Sequence, residues 1–389
     1  MVRVPTATYR IQLGQQCTFR RAAKLAGYLH TLGISDLYAS PVLKARPGSS
    51  HGYDITDPSR INPELGGERG FRRLHRELER YGMGLLLDIV PNHLAASSEN
   101  PYWMDVLKYG RSSRYAKYFD IRWDQAGAGS GQVLVPVLGR PYGEALEAGE
   151  LRLVVEEGML RVRYTDWSFP LSVRSWGPVL SRCLTRPEPA AFVEAGALER
   201  LGAVAKEAER LRRGLQGVPE RRRGERVEAE IKRLVDGSPG IRAAVHRAVL
   251  EVNGTPGWPR SFDQLDGLLR EQHYRLAHWR TANEEINYRR FFDIGDLVGV
   301  RVEDEEVLRG THRLVFRLVD RGVVTGLRVD HVDGLRDPGG YLARLQRRPG
   351  EDGWPYVVVE KVLGEGEKLP SSWPVCGTTG YDFLNAVNR

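Results

Sequence analysis

The sequence predicts an α/β fold in which parallel strands alternate with helices to build a barrel that stays incomplete at its C-terminal end. Three observations carry this expectation. The runs Met83–Val90 and Tyr356–Leu363 are almost continuously apolar, as strands buried on both faces are. Amphipathic stretches with apolar residues at spacings of three and four lie before and between such runs. The alternation then stops after the third strand and resumes only near residue 290, which marks a large insertion.

In chain order, Thr8–Leu13 reads as a strand, residues 19–32 as a helix and Ile34–Pro41 as a second strand. A helix over 68–81 follows, with Phe71, Leu74 and Leu78 on one face, and then the strand Met83–Val90. Such a succession implies βαβ units and a parallel sheet. Residues 1–93 are therefore expected to hold strands one to three. Residues 94–286 read as an inserted domain, with a small sheet over 132–164 and helices over 188–280. Ala195, Leu198, Leu201, Val204, Ala208, Leu211 and Leu215 draw one apolar stripe there, which is core. Residues 287–389 resume the barrel with a helix over 303–320, strands at Val323–Val332 and Tyr356–Leu363, and a sixth near 375–383. A (β/α)8 TIM-type barrel needs eight. The chain is thus expected to be an N-terminal fragment, with open sheet edges and feeble activity on its own.

Composition narrows the class. Hydrophobic residues make up 41% and charged residues 28% of 389. No apolar run approaches the ~20 residues that span a bilayer, so no membrane partner is expected. The opening MVRVPTATYRIQL lacks a secretory core. Cys17, Cys183 and Cys376 are too few and scattered for a disulfide framework or a metal site, which suits a cytoplasmic protein. The net charge of +7 does not imply nucleic acid, because Arg221, Arg222 and Arg223 are flanked by Glu220 and Glu225, with Glu228 and Glu230 close behind. Mixed charge of this kind is a solvated helix face.

The chemistry is expected at three strand ends. Asp88 follows Leu85-Leu86-Leu87, Asp330 follows Val329, and Glu360 follows Val357-Val358-Val359. A carboxylate in an apolar strand is expensive unless it has a task, and parallel barrels place active sites at the C-terminal strand ends. A pair of carboxylates across a barrel mouth suits glycosidic bond chemistry, one attacking the anomeric carbon and the other protonating the leaving oxygen. Arg328 shares a strand face with Asp330 and is expected to keep it ionised. The apolar approach to Glu360 suits a proton donor.

The segments Asp88-Ile-Val-Pro-Asn92-His93, Gly326-Leu-Arg328-Val-Asp330-His331 and Val359-Glu360 resemble three conserved regions of the α-amylase superfamily, glycoside hydrolase family 13. Longer strings over 40–58, 274–294, 326–338, 359–370 and 373–383 resemble one family within it, the maltooligosyltrehalose synthases. The resemblance implies an intramolecular transglucosylation, in which the reducing-end α-1,4 bond of a maltooligosaccharide becomes an α,α-1,1 bond. It implies Asp330 as nucleophile and Glu360 as acid/base. Tyr53 would stack on the sugar, His93 would bond a hydroxyl, Asp88 would shape the pocket and Arg328 would hold Asp330. Trp373 and Tyr381 would meet the reducing-end glucose, with His51 and His331 as further substrate contacts. Asn92 reads as structural, and no cofactor or metal is expected. The superfamily's third carboxylate has no counterpart, since Asp382 lies in the Thr-Thr-Gly-Tyr-Asp segment. The expected partners are a maltooligosaccharide and the missing C-terminal part of the same enzyme, with the intact protein a monomer. A hydrolase of the same superfamily and a non-catalytic oligosaccharide-binding remnant are the competing readings.

Overall fold

The computed structural model describes residues 3–124, 131–185, 196–213, 218–346 and 356–388. Its main sheet contains β1 (Thr8–Ile11), β2 (Asp36–Ala39), β3 (Gly84–Ile89), β4 (Gly326–Val329), β5 (Tyr356–Val359) and β6 (Gly377–Thr378). They lie side by side in chain order, and every neighbouring pair is parallel. The alternating helices are α1 (Phe19–Thr31), α2 (Gly67–Arg80), α3 (Glu305–Asp320), α4 (Pro338–Gln346) and α5 (Tyr381–Asn388). This is the predicted (β/α) barrel, incomplete, with six strands among the described residues.

Local chemistry explains the elements. All six residues of β3 are buried, as a central parallel strand requires. Gly84 opens that strand because a Cβ there would fall 1.7 Å from Asp36 Oδ1 on β2. Asp36 is buried and accepts from Arg3 Nε at 2.9 Å. Helix α3 starts at Asp304, whose side chain accepts from the backbone N–H groups of Glu306 and Val307. Its buried face carries Val307, Leu308, Leu314, Val315 and Val319. Helices α1 and α2 meet through Phe19 and Phe71, edge to face at 5.4 Å.

Two compact units emerge. One comprises Met1–Asn100, Lys117–Asp120 and Arg289–Arg389 and holds the barrel strands. Beside them it carries a hairpin of Leu43–Ala45 with Ile55–Ile61. It also has a small antiparallel sheet of Arg290–Phe291, Ile294–Gly299 and His93–Ala95.

The other unit comprises Pro101–Ala116 and Ile121–Tyr288. It contains the antiparallel sheet Arg152–Glu156, Met159–Tyr164 and Trp167–Pro170, and helices Ala197–Arg213, Val218–Gly237 and Pro239–Val252. Residues 188–195 and 214–217 of the expected helical stretch lie outside the described residues, while Leu201, Val204, Ala208 and Leu211 form the buried stripe. The stretch expected to be helical through residue 280 ends in a strand instead. Tyr274–His278 pairs in parallel with Val133–Leu138. Tyr274 and Leu276 point inward at a period of two, and Asn287 Oδ1 accepts from Leu134 N, so sheet pairing outweighs helix propensity there. Among the described residues no helix is long and apolar enough to cross a membrane.

Candidate active site

The strand register places the functional side chains. Arg328 on β4 stands opposite Asp88 on β3 and Val358 on β5, so these three share one face of the sheet. Asp330, two residues after Arg328, returns to that face. Val329 pairs with Val359, and Glu360 N donates to Val329 O at 2.8 Å, so Asp330 and Glu360 leave adjoining strand ends at one level.

A single nitrogen of Arg328, Nη1, donates to Asp88 Oδ1 at 2.8 Å and to Asp330 Oδ1 at 2.5 Å. All three residues are buried. The other oxygen of Asp88 accepts from Tyr53 OH at 2.6 Å and Tyr38 OH at 3.2 Å. Arg10 Nη2 in turn donates to Tyr53 OH at 3.1 Å. Arg10 on β1 pairs in register with Tyr38 on β2. A belt of Arg10, Tyr38, Asp88 and Arg328 therefore crosses four strands on one face. Sequence reasoning missed Arg10 and Tyr38, which only the register between strands puts on the face that Asp88 occupies.

Electrostatics follows from this packing. Burial pushes Asp330 up to about 6; Arg328 pulls it down, and Asp88 and Glu360 push it up again. The expected cation is present, but it offsets burial only in part. Asp88 is also raised, by burial first, with Arg328 and Tyr53 opposing. Burial works against the charge of Arg328, yet Asp88, Tyr38 and Asp330 hold its proton more firmly than usual.

His331 adopts φ 48° and ψ 49°, a left-handed conformation uncommon for a residue with a side chain. That turn aims its backbone N–H at Glu360 Oε2, 3.1 Å away. Its ring lies edge-on to Phe291 at 4.8 Å and beside Phe292 at 5.0 Å. Phe291 also covers the His93 ring at 4.4 Å. His93 is buried, and burial lowers it to about 4, with the Tyr53 backbone opposing. Its Nε2 lacks a partner at hydrogen-bonding geometry. Sequence reasoning also missed Phe291, Phe292 and Arg289. Arg289 Nη1 donates to Asn92 Oδ1 at 2.6 Å and ties Asn92 into the wall.

The remaining sequence-derived candidates are dispersed. His51 is exposed, accepts from Tyr53 N at 3.0 Å and stacks on the Tyr53 ring at 5.9 Å. Trp373 is half-buried near Gly339 at the start of α4, and Tyr381 is 42% exposed at the start of α5. Among the described residues neither forms a hydrogen bond or ring contact with the carboxylate cluster. No group of three or more His, Cys, Asp or Glu side chains among the described residues could hold a metal ion.

Gly334 keeps the His331 turn in place. A Cβ there would sit 2.2 Å from the His331 ring and 3.1 Å from Asn92 Oδ1. Gly334→Ala is expected to cost about 1–3 kcal/mol through overpacking and to displace the Glu360 contact. Urea unfolding measures the first effect; an unchanged midpoint would contradict it.

A parallel barrel sheet with a buried Asp-Arg-Asp cluster and a glutamate at its strand ends defines a class. Residues 22–140 match the α-amylase catalytic-domain family. The chain is similar to maltooligosyltrehalose synthases over nearly its whole length. The structure of that enzyme from Arthrobacter ramosus matches with a TM-score of 0.69 and 34% identity, covering 99% of this chain and 38% of that one. A hypothetical maltooligosyl trehalose synthase from Sulfolobus tokodaii gives 0.66 and 30%, over 99% of this chain and 39% of its own. A Mycobacterium tuberculosis protein, by its assigned name a maltooligosyl trehalose synthase, is 34% identical over 388 residues, or 98% of this chain and 38% of the relative. The chain thus spans about 38% of the length of the curated relatives it matches over nearly its whole length.

Proposed function

We propose that this site performs a retaining transglucosylation that converts the reducing-end α-1,4 bond of a maltooligosaccharide to an α,α-1,1 bond. Asp330 attacks the anomeric carbon while Glu360 gives its proton to the departing glycosidic oxygen. The bond to the terminal glucose breaks and a glycosyl ester on Asp330 forms. The freed glucose turns within the site and presents its anomeric hydroxyl. Glu360, now a carboxylate, takes that proton as the new oxygen displaces Asp330.

The observation that carries this reading is the position of Asp330 and Glu360 at one level on neighbouring strands. Strand spacing of about 4.8 Å suits the 5–5.5 Å carboxylate separation of retaining enzymes. Arg328 and Asp88 hold Asp330 in place. Neutral His93, whose buried Nε2 has no partner, is the side chain assigned to a sugar hydroxyl. Tyr53 bonds Asp88 through its hydroxyl, which anchors its ring beside the carboxylate cluster. Phe292, 69% exposed beside His331, offers a second apolar platform for the glucose that must turn.

Incubation with maltopentaose tests the reaction. Isomerisation consumes reducing ends and releases no glucose, whereas an α-glucan hydrolase creates one reducing end per cut. Creation of reducing ends would overturn the mutase reading. The pH profile gives a separate test. Asp330 must be deprotonated to attack, so kcat/KM should fall as pH drops below about 6. An acid limb at the ordinary aspartate value near 4 would contradict the role given to burial.

A further inference from the structure

A groove of about 540 Å³ runs between α2 and α3 and shares no residue with the carboxylate cluster. Its apolar lining is made by Phe71, Leu314, Leu318, Ile61 and Val323. Its rim is cationic. Arg69, Arg72 and Arg76 come from one face of α2, at intervals of three and four, with Arg317 from α3 and Arg321 capping its C-terminal end. His75 adds an imidazole, and Glu68 is the single carboxylate in the lining.

Some arginines elsewhere on the surface are paired, as Arg309 is with Glu305 and Arg80 with Glu77. Among the described residues none of the five groove arginines forms an ion pair. Like charges at helical spacing repel each other. Five of them converge here on a cavity within the roughly 300–1,000 Å³ range of small-molecule sites. The guanidinium fork matches phosphate oxygens two at a time, and five forks exceed what one phosphoryl group can satisfy. The apolar lining requires a ligand with a hydrophobic or planar body.

We propose that this groove binds a small phosphate ester that carries at least two phosphoryl groups on a planar or apolar body. A solvated helix face would leave the same arginines exposed, and ligand binding separates the two. Titration calorimetry on the full chain, at low and at physiological salt, would use ATP, inorganic pyrophosphate, glucose 6-phosphate and a short DNA duplex as probes. The expected result is saturable one-site binding of ATP, tighter than pyrophosphate and much tighter than glucose 6-phosphate. Arg72→Ala combined with Arg317→Ala should weaken it at least tenfold, while Arg210→Ala, outside the groove, leaves it unchanged. Circular dichroism of the double variant should match the parent, since removing like charges costs the fold nothing. No saturable binding, equal affinity in the double variant, or a preference for the duplex over ATP would each overturn the proposal.

Discussion

Asp330→Asn should reduce kcat on the order of 10⁵-fold, a larger loss than any other single substitution in the carboxylate cluster should cause. The amide keeps the size of the carboxyl and can still accept from Arg328, so the fold around it survives. What is lost is the nucleophile, and with it the covalent step that divides one difficult displacement into two easier ones. Losses of that size are known for nucleophiles that act as part of a unit. Glu360→Gln should fall less, by about 10²–10⁴-fold, as removal of a general acid does. Substrates with a good leaving group, which need no proton in the first step, should recover most of that loss. A Glu360 variant as active as the parent on maltopentaose would remove Glu360 from the mechanism.

Arg328→Met should be the most damaging change to stability. One nitrogen, Nη1, bridges Asp88 and Asp330, and the three residues are all buried. Removing the cation leaves two carboxylates facing each other in an apolar setting, which costs about 3–5 kcal/mol. The sign of the pH dependence follows. Without Arg328 both carboxylates bind protons more tightly in the folded state than in the unfolded chain. The penalty is therefore full at high pH, where the folded state must keep both charges, and shrinks as falling pH protonates them. Urea unfolding should show a larger gap between variant and parent at pH 8 than at pH 5. An equal gap at both would mean that the guanidinium acts by packing alone.

Much of this was legible in the sequence, for identifiable reasons. The third strand announces itself because Leu85, Leu86 and Leu87 leave no solvent face, and Asp88 stands out because nothing apolar explains it. The same contrast marks Asp330 after Val329 and Glu360 after Val359. The short β6 was visible only as an approximate segment, since Gly377 and Thr378 carry little pattern.

What stayed hidden depends on tertiary pairing. Tyr274–His278 follows a long helical stretch, and only its partner Val133–Leu138 makes it a strand. Arg10 and Tyr38 look like ordinary strand residues until the register brings them to Asp88. Phe291 and Phe292 reach His93 and His331 because residues 290–299 fold back along His93–Ala95, a pairing over long sequence separation that no local spacing encodes. The strain at His331 was equally invisible, because a left-handed residue after Asp330 has no compositional signature.

In the proposed mechanism Asp330 forms the bond to sugar, with Glu360 as its proton partner. Treatment with 5-fluoro-α-D-glucosyl fluoride, followed by proteolysis and mass spectrometry, tests this directly. The fluoride leaves without help from an acid, and the ring fluorine slows breakdown of the ester. A single glycosyl adduct on the peptide containing Asp330 is the expected result, with Asp330→Asn remaining unlabelled. An adduct on Asp88 or Glu360 would contradict the assignment of Asp330, and no adduct on the parent chain would contradict the double-displacement mechanism.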